Sequence, residues 1–162
     1  MTLGPWYVFR RAFLLENNLK FAEKTRYEDS EFMLKACLRA QRIMNLDRAP
    51  YIYAEREGST VSGASLGKTL DCQTILNRIL EMRRGLADPM RRRCISYYAA
   101  MFFNTLYYNF RIMRDSDKLQ FSRENTMDKR EIIRVFLDAG TLKYFAEAVY
   151  LSLFWSKIFR AG

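Results

Sequence analysis

Through the last hundred residues of this chain, apolar side chains recur at helical spacing between start and stop signals, and that pattern limits the fold more than any other feature. Leu66, Leu70, Leu76, Ile79, Leu80 and Met82 mark an amphipathic helix predicted to end near Gly85. Asp88-Pro89 is an N-cap followed by proline at the first helical position, and it opens a long helix predicted to reach about Arg114. From Ile95 to Phe110 that helix is apolar nearly all round, which predicts a central position. Asp128 and Glu131 have capping-box spacing ahead of Ile132 to Leu137, and Gly140 is a stop. A final helix is predicted from about Thr141 to Phe159.

The first 62 residues read differently. Pro5 to Leu15 reads as a buried segment turning into a short helix, and Asn17-Asn18 as a turn. Leu19 to Phe21 reads as a short strand, and Lys24 to Tyr27 as a polar loop. Ser30 to Met44 carries Phe32, Met33, Ala36, Cys37, Ala40, Ile43 and Met44 on one helical face. Tyr51-Ile52-Tyr53 reads as a strand that Pro50 places at an edge or a strand start. Glu55 to Gly67, with Gly58, Gly63 and Gly67, is a loop and the expected domain boundary. The expected fold is therefore an α/β fragment over 1–62 followed by an all-α extension over 63–162, mainly α overall. Two strands are too few for a complete α/β domain.

Composition narrows the chemistry. The chain has 162 residues and no histidine, which excludes His-based acid–base catalysis, Ser-His-Asp and Cys-His arrangements, and metal sites that need imidazole. A general base has to be a carboxylate or something rarer. A net charge of +9 favours anionic partners: phosphorylated small molecules, nucleic acid or anionic lipid. Three widely spaced cysteines with no CxxC read as reduced, mostly buried thiols in a cytoplasmic protein. Met1 to Phe9 lacks the pattern of a signal peptide, and the longest apolar run, Ala146 to Trp155, is too short to span a bilayer.

The candidate chemistry lies in Tyr27-Glu28-Asp29-Ser30-Glu31-Phe32, where adjacent carboxylates sit at the entry to a helix. Asp29 can act as a general base that takes a proton from an acceptor hydroxyl. It can equally be an N-cap, with Glu28 and Glu31 favoured by the helix dipole. Spacing alone leaves both open.

The ordered set Trp6, Arg10-Arg11-Ala12-Phe13-Leu14, Asn17-Asn18-Leu19-Lys20-Phe21 and Tyr27-Glu28-Asp29-Ser30-Glu31-Phe32 resembles the later part of the catalytic domain of bacterial family 2 glycosyltransferases. Ala40 to Ile43, Asp47, Pro50 to Tyr53 and Arg56 to Thr60 continue the likeness in the same order. The resemblance implies a GT-A fold and inverting transfer from a nucleotide sugar to a glycan or lipid-linked acceptor hydroxyl, in bacterial surface polysaccharide synthesis. It assigns Asp29 as catalytic base and Glu28 as its support or an acceptor ligand. Arg56 and Ser59 would lie near the donor diphosphate, with Trp6 among the substrate-binding residues. It also implies a divalent metal, Mn or Mg, in the complete enzyme and no cofactor held by this chain.

The family's nucleotide-binding half, with its DxD-type metal motif, has no counterpart here. Asp115-Ser116-Asp117 has the spacing but follows the catalytic segment, and reads as a loop with N-capping residues. The expectation is a partial chain that is inactive alone. Arg91-Arg92-Arg93, with Arg83 and Arg84 nearby, forms the densest basic patch. The aromatics Tyr97 to Phe110 read as core rather than as nucleobase platforms, which argues against nucleic acid. The last helix fits a closing helix of the bundle, a homodimer contact, or a peripheral contact with the inner membrane face. The alternative function is a non-catalytic, basic helical interaction or membrane-scaffold module.

Overall fold

The computed structural model describes residues 7–45, 47 and 63–159. The chain divides into two compact units, Met1–Ser62 and Gly63–Gly162.

Unit 1 contains α1 (Arg11–Glu16) and α2 (Glu28–Arg39). Leu19, Phe32, Met33 and Ala36 form a small core, on which Phe9, Phe13 and Leu14 pack. The Phe32 ring is stacked by Phe21 at 4.1 Å between centroids and met edge-on by Phe9 at 5.4 Å. Asn17-Asn18 forms the expected turn: Asn18 takes a left-handed φ of 48°, and the Asn17 side chain donates to the Phe13 carbonyl at 2.9 Å.

Three expectations for this unit need correction. No strand forms among the described residues, so the predicted strand Leu19 to Phe21, and with it the described part of the α/β fragment, is replaced by irregular chain. Its backbone and side chains are used otherwise: the Leu19 N–H closes the end of α1 on the Leu14 carbonyl at 2.9 Å, and Phe21 lies against α2. Tyr7 and Val8 are exposed rather than buried. Finally, α2 starts two residues early and stops at Arg39 rather than Met44, and Ile43 and Met44 beyond its end are exposed. The predicted strand Tyr51 to Tyr53 lies outside the described residues.

Unit 2 is built from α3 (Leu66–Arg84), α4 (Pro89–Ile112), α5 (Asp115–Glu124), α6 (Lys129–Asp138) and α7 (Leu142–Ile158). The local signals operate as chemistry requires. Asp88 accepts from the Arg91 N–H at 2.9 Å with Pro89 beginning α4, Asp128 accepts from the Arg130 N–H at 2.9 Å, and Thr141 from the Tyr144 N–H at 3.2 Å. Gly140 stops α6 with φ of +69°. The second half of the expected capping box is diverted, because the Glu131 carboxylate accepts from Nε and Nη2 of Arg84.

Helix α4 packs against α3 and α6, α6 against α7, and α3 against α5, so α4 is central as its all-round apolar surface predicts. Ile75, Leu76 and Ile79 of α3, Phe103 and Leu106 of α4, Phe121 of α5, and Ile132 and Phe136 of α6 are fully buried. Phe159, just past α7, joins the layers: its ring lies 5.1 Å from Phe110, 5.6 Å from Phe121 and 6.0 Å from Phe103. Cys72 is buried as expected, whereas Cys37 and Cys94 are exposed, and all three are free thiols.

Candidate functional site

The start of α2 is set by backbone conformation rather than by a capping side chain. Tyr27 occupies the N-cap position in the left-handed region (φ 63°, ψ 19°) and makes no side-chain cap bond. Non-glycine residues adopt that conformation uncommonly, so it marks a forced turn. Glu28, Asp29 and Glu31 then all fall in the first helical turn, where the helix dipole favours negative charge. Asp29 is therefore not the N-cap. It precedes Phe32, Met33 and Ala36 by three, four and seven residues, which puts it on the face that carries the core. It is half-buried, and accepts from the Ser30 hydroxyl at 3.4 Å. Glu28, also half-buried, is its neighbour in that turn.

Beneath this turn lies a feature that the motif reading passed over. Ser30 and Glu31 are buried, and Glu31 forms an ion pair with Lys35 one turn later. The i,i+4 Glu-to-Lys spacing was the available signal. The pair neutralises one of the three carboxylates of the turn, leaving Glu28 and Asp29 as its more exposed anions.

Trp6, Arg56 and Ser59 lie outside the described residues, so the structure brings together only Asp29 and Glu28 of the expected site. Among the described residues no group of three or more Cys, Asp or Glu is placed to hold a metal ion. Asp115 and Asp117 lie in the first turn of α5, not in a loop, and Asp115 is paired with Lys118 at 3.0 Å.

The arginines of unit 2 separate into different roles. Arg83 is buried: its Nε donates to the Ser96 hydroxyl at 2.8 Å, and its guanidinium pairs with Asp138. Arg92 donates to the Leu86 carbonyl at 2.7 Å and Arg93 to the Gly140 carbonyl at 2.9 Å. Much of the apparent basic patch is thus structural, tying helix ends together. Of the α4 aromatics, Phe102, Phe103 and Phe110 are core, while Tyr97 and Tyr108 are exposed. Where α4 meets α7, two open cavities of about 350 and 320 Å³ share Asn104 and Tyr108. The shared Asn104 amide donates to Glu147 at 3.0 Å, and Thr105 and Lys143 line the first cavity and Arg111 the second.

Over 65 residues the chain is 42% identical to the poly(ribitol-phosphate) beta-N-acetylglucosaminyltransferase TarS of Staphylococcus aureus (strain Mu50 / ATCC 700699). That stretch is 39% of this chain and 11% of the staphylococcal protein, so the similarity spans about a tenth of that protein's length. No family model and no solved structure matches the chain. The likeness is therefore to a glycosyltransferase, over part of each chain.

Proposed function

We propose that unit 1 is the acceptor-side segment of an inverting, nucleotide-sugar-dependent glycosyltransferase, with Asp29 as general base and Glu28 holding acceptor hydroxyls. In this reaction the acceptor oxygen attacks the anomeric carbon. The bond from that carbon to the diphosphate breaks, and the diphosphate leaves with the electron pair. The hydroxyl proton passes to the Asp29 carboxylate as the new bond forms. A carboxylate suits a proton that becomes acidic only late in bond formation, and this chain offers no histidine for the role. By analogy with the staphylococcal transferase, the transferred sugar is N-acetylglucosamine and the acceptor is a ribitol hydroxyl of a polyol-phosphate chain.

The 42% identity to a glycosyltransferase carries the reading. The geometry supports it: Asp29 is fixed in a first helical turn, half-buried, and not used as the helix cap. A positioned base contributes on the order of 10²–10⁴ in rate. The test is a chimaera carrying unit 1 of this chain within the staphylococcal transferase, assayed for release of uridine diphosphate with poly(ribitol phosphate) as acceptor. The chimaera is expected to turn over, and Asp29→Asn to lower kcat by about 10²-fold or more with the fold unchanged. A folded but inactive chimaera would refute the family reading. An active chimaera indifferent to Asp29→Asn would refute the assignment of the base.

A further inference from the structure

Helix α7 is apolar on two opposite faces, and only one of them is used by unit 2. Tyr144, Ala148, Leu151 and Ile158 face the core and are buried. On the other side Leu142, Phe145, Val149 and Leu153 form a continuous stripe at helical spacing, with relative exposures of 86%, 55%, 45% and 69%. Tyr150 and Phe154 widen it along one edge. A helix that is apolar all round is normally enclosed, and an exposed stripe of this length marks an interaction surface.

The charges bordering the stripe select its occupant. Lys143 stands near its start and Lys157 near its end, the latter with its ammonium 5.6 Å from the centre of the Phe154 ring. Lys129 of α6 reaches the α7 backbone at Ser152 with a 3.0 Å hydrogen bond. Glu147, the sole carboxylate of α7, accepts from the Asn104 amide of α4 and lies 3.8 Å from the Lys143 ammonium, so it offsets one border lysine and leaves Lys129 and Lys157 to set the sign. The border is thus basic. A second copy laid on this face would set lysine against lysine, whereas an anionic lipid surface complements it. No described helix is long and apolar enough to cross a membrane, and the inner face of α7 is committed to the core, so the helix suits lying in the interface plane.

We infer that the outer face of α7 docks unit 2 on an anionic lipid surface. The apolar stripe enters the boundary between headgroups and acyl chains, and the flanking lysines contact lipid phosphates. This inference stands independently of the transferase reading, since it uses only unit 2.

The test is co-sedimentation of the full chain with vesicles of phosphatidylcholine alone and of phosphatidylcholine mixed with phosphatidylglycerol. The chain is expected to pellet with the mixed vesicles, and to release at high salt. Replacing Phe145 and Leu153 together by Ser should weaken partitioning by at least about tenfold, equivalent to about 1.4 kcal/mol. Replacing Lys143 and Lys157 together by Gln should bring binding to mixed vesicles down to the level seen with neutral ones. All four side chains lie outside the core, and unchanged far-ultraviolet circular dichroism verifies each variant. Failure of the wild-type chain to pellet with mixed vesicles at low salt overturns the inference, as does unchanged binding by the Ser variant. A concentration-dependent dimer in lipid-free sedimentation equilibrium, abolished by the same Ser pair, would assign the face to a second copy and equally overturn it.

Discussion

Arg83→Met tests how three helices of unit 2 are tied together. The Arg83 side chain is 7% exposed and joins α3 to Ser96 of α4 and Asp138 of α6. Methionine preserves the apolar stem, so the substitution removes the guanidinium with little loss of packing. Two costs follow. The Ser96 hydroxyl, fully buried, loses its charged donor, which by itself costs about 1–3 kcal/mol. Helical serine can turn its hydroxyl to the carbonyl four residues back, which favours the lower half of that range. Asp138 keeps 38% of its side chain in solvent, so losing its partner resembles loss of a surface pair, about 0–1 kcal/mol, more than exposure of a buried charge. The sum is about 2 kcal/mol, or a fall in Tm of about 8 °C for a unit of this size.

Urea titration in a Trp6→Phe background measures it, because Trp155 then reports unit 2 alone and coincidence with circular dichroism checks two-state unfolding. Asp138→Asn should cost about 1 kcal/mol or less, and the double-mutant cycle should give a coupling of similar size. A neutral or stabilising Arg83→Met would refute the argument. It would mean that desolvation of the guanidinium offsets everything its partners return, as is known for some buried ion pairs.

Two further outcomes follow from local chemistry. Burial, with the Asp71 carboxylate adding to it, holds the Cys72 thiol far above its ordinary value of 9.0. The folded chain therefore keeps a proton that the unfolded chain releases once pH exceeds that value, and stability attributable to Cys72 falls as pH rises, by up to about 1.4 kcal/mol per unit. Urea midpoints at about pH 8 and about pH 10 should show this slope in the wild-type chain and a shallower one in Cys72→Ala; equal slopes would exclude it. At Gly140 an added Cβ would lie 2.5 Å from the Arg93 Nε on a backbone of positive φ, so Gly140→Ala should cost about 1–2 kcal/mol. Gly85→Ala, with negative φ and the Met82 carbonyl 3.7 Å away, should be neutral or stabilising by under about 1 kcal/mol. Equal effects at the two glycines in thermal melts would contradict the conformational explanation.

The sequence was most legible where a signal acts over a few residues. Asp88-Pro89, Asp128, Thr141 and Gly140 are read as helix ends and function as such, because a cap bond spans two or three residues and needs no distant partner. At the candidate site, the carboxylates of the Glu-Asp motif were legible, but their helical positions were not. The turn that sets them is a left-handed tyrosine, whose identity carries no such signal. The strand reading of Leu19 to Phe21 failed for a related reason: alternating apolar residues accept a helix face as readily as a neighbouring strand, and Phe32 was the surface at hand.

By itself, then, the sequence determined where the helices of unit 2 begin and end, that α4 is central, and that no histidine of this chain can serve as a base. The tertiary structure alone decided which of five clustered arginines is buried, because the partner that holds Arg83 lies 55 residues away on another helix. It also decided which face of α7 meets the core. A helix apolar on two opposite faces has no pattern from which to choose a side, so the choice falls to the surfaces of α4 and α6 that it packs against, and the other face stays exposed.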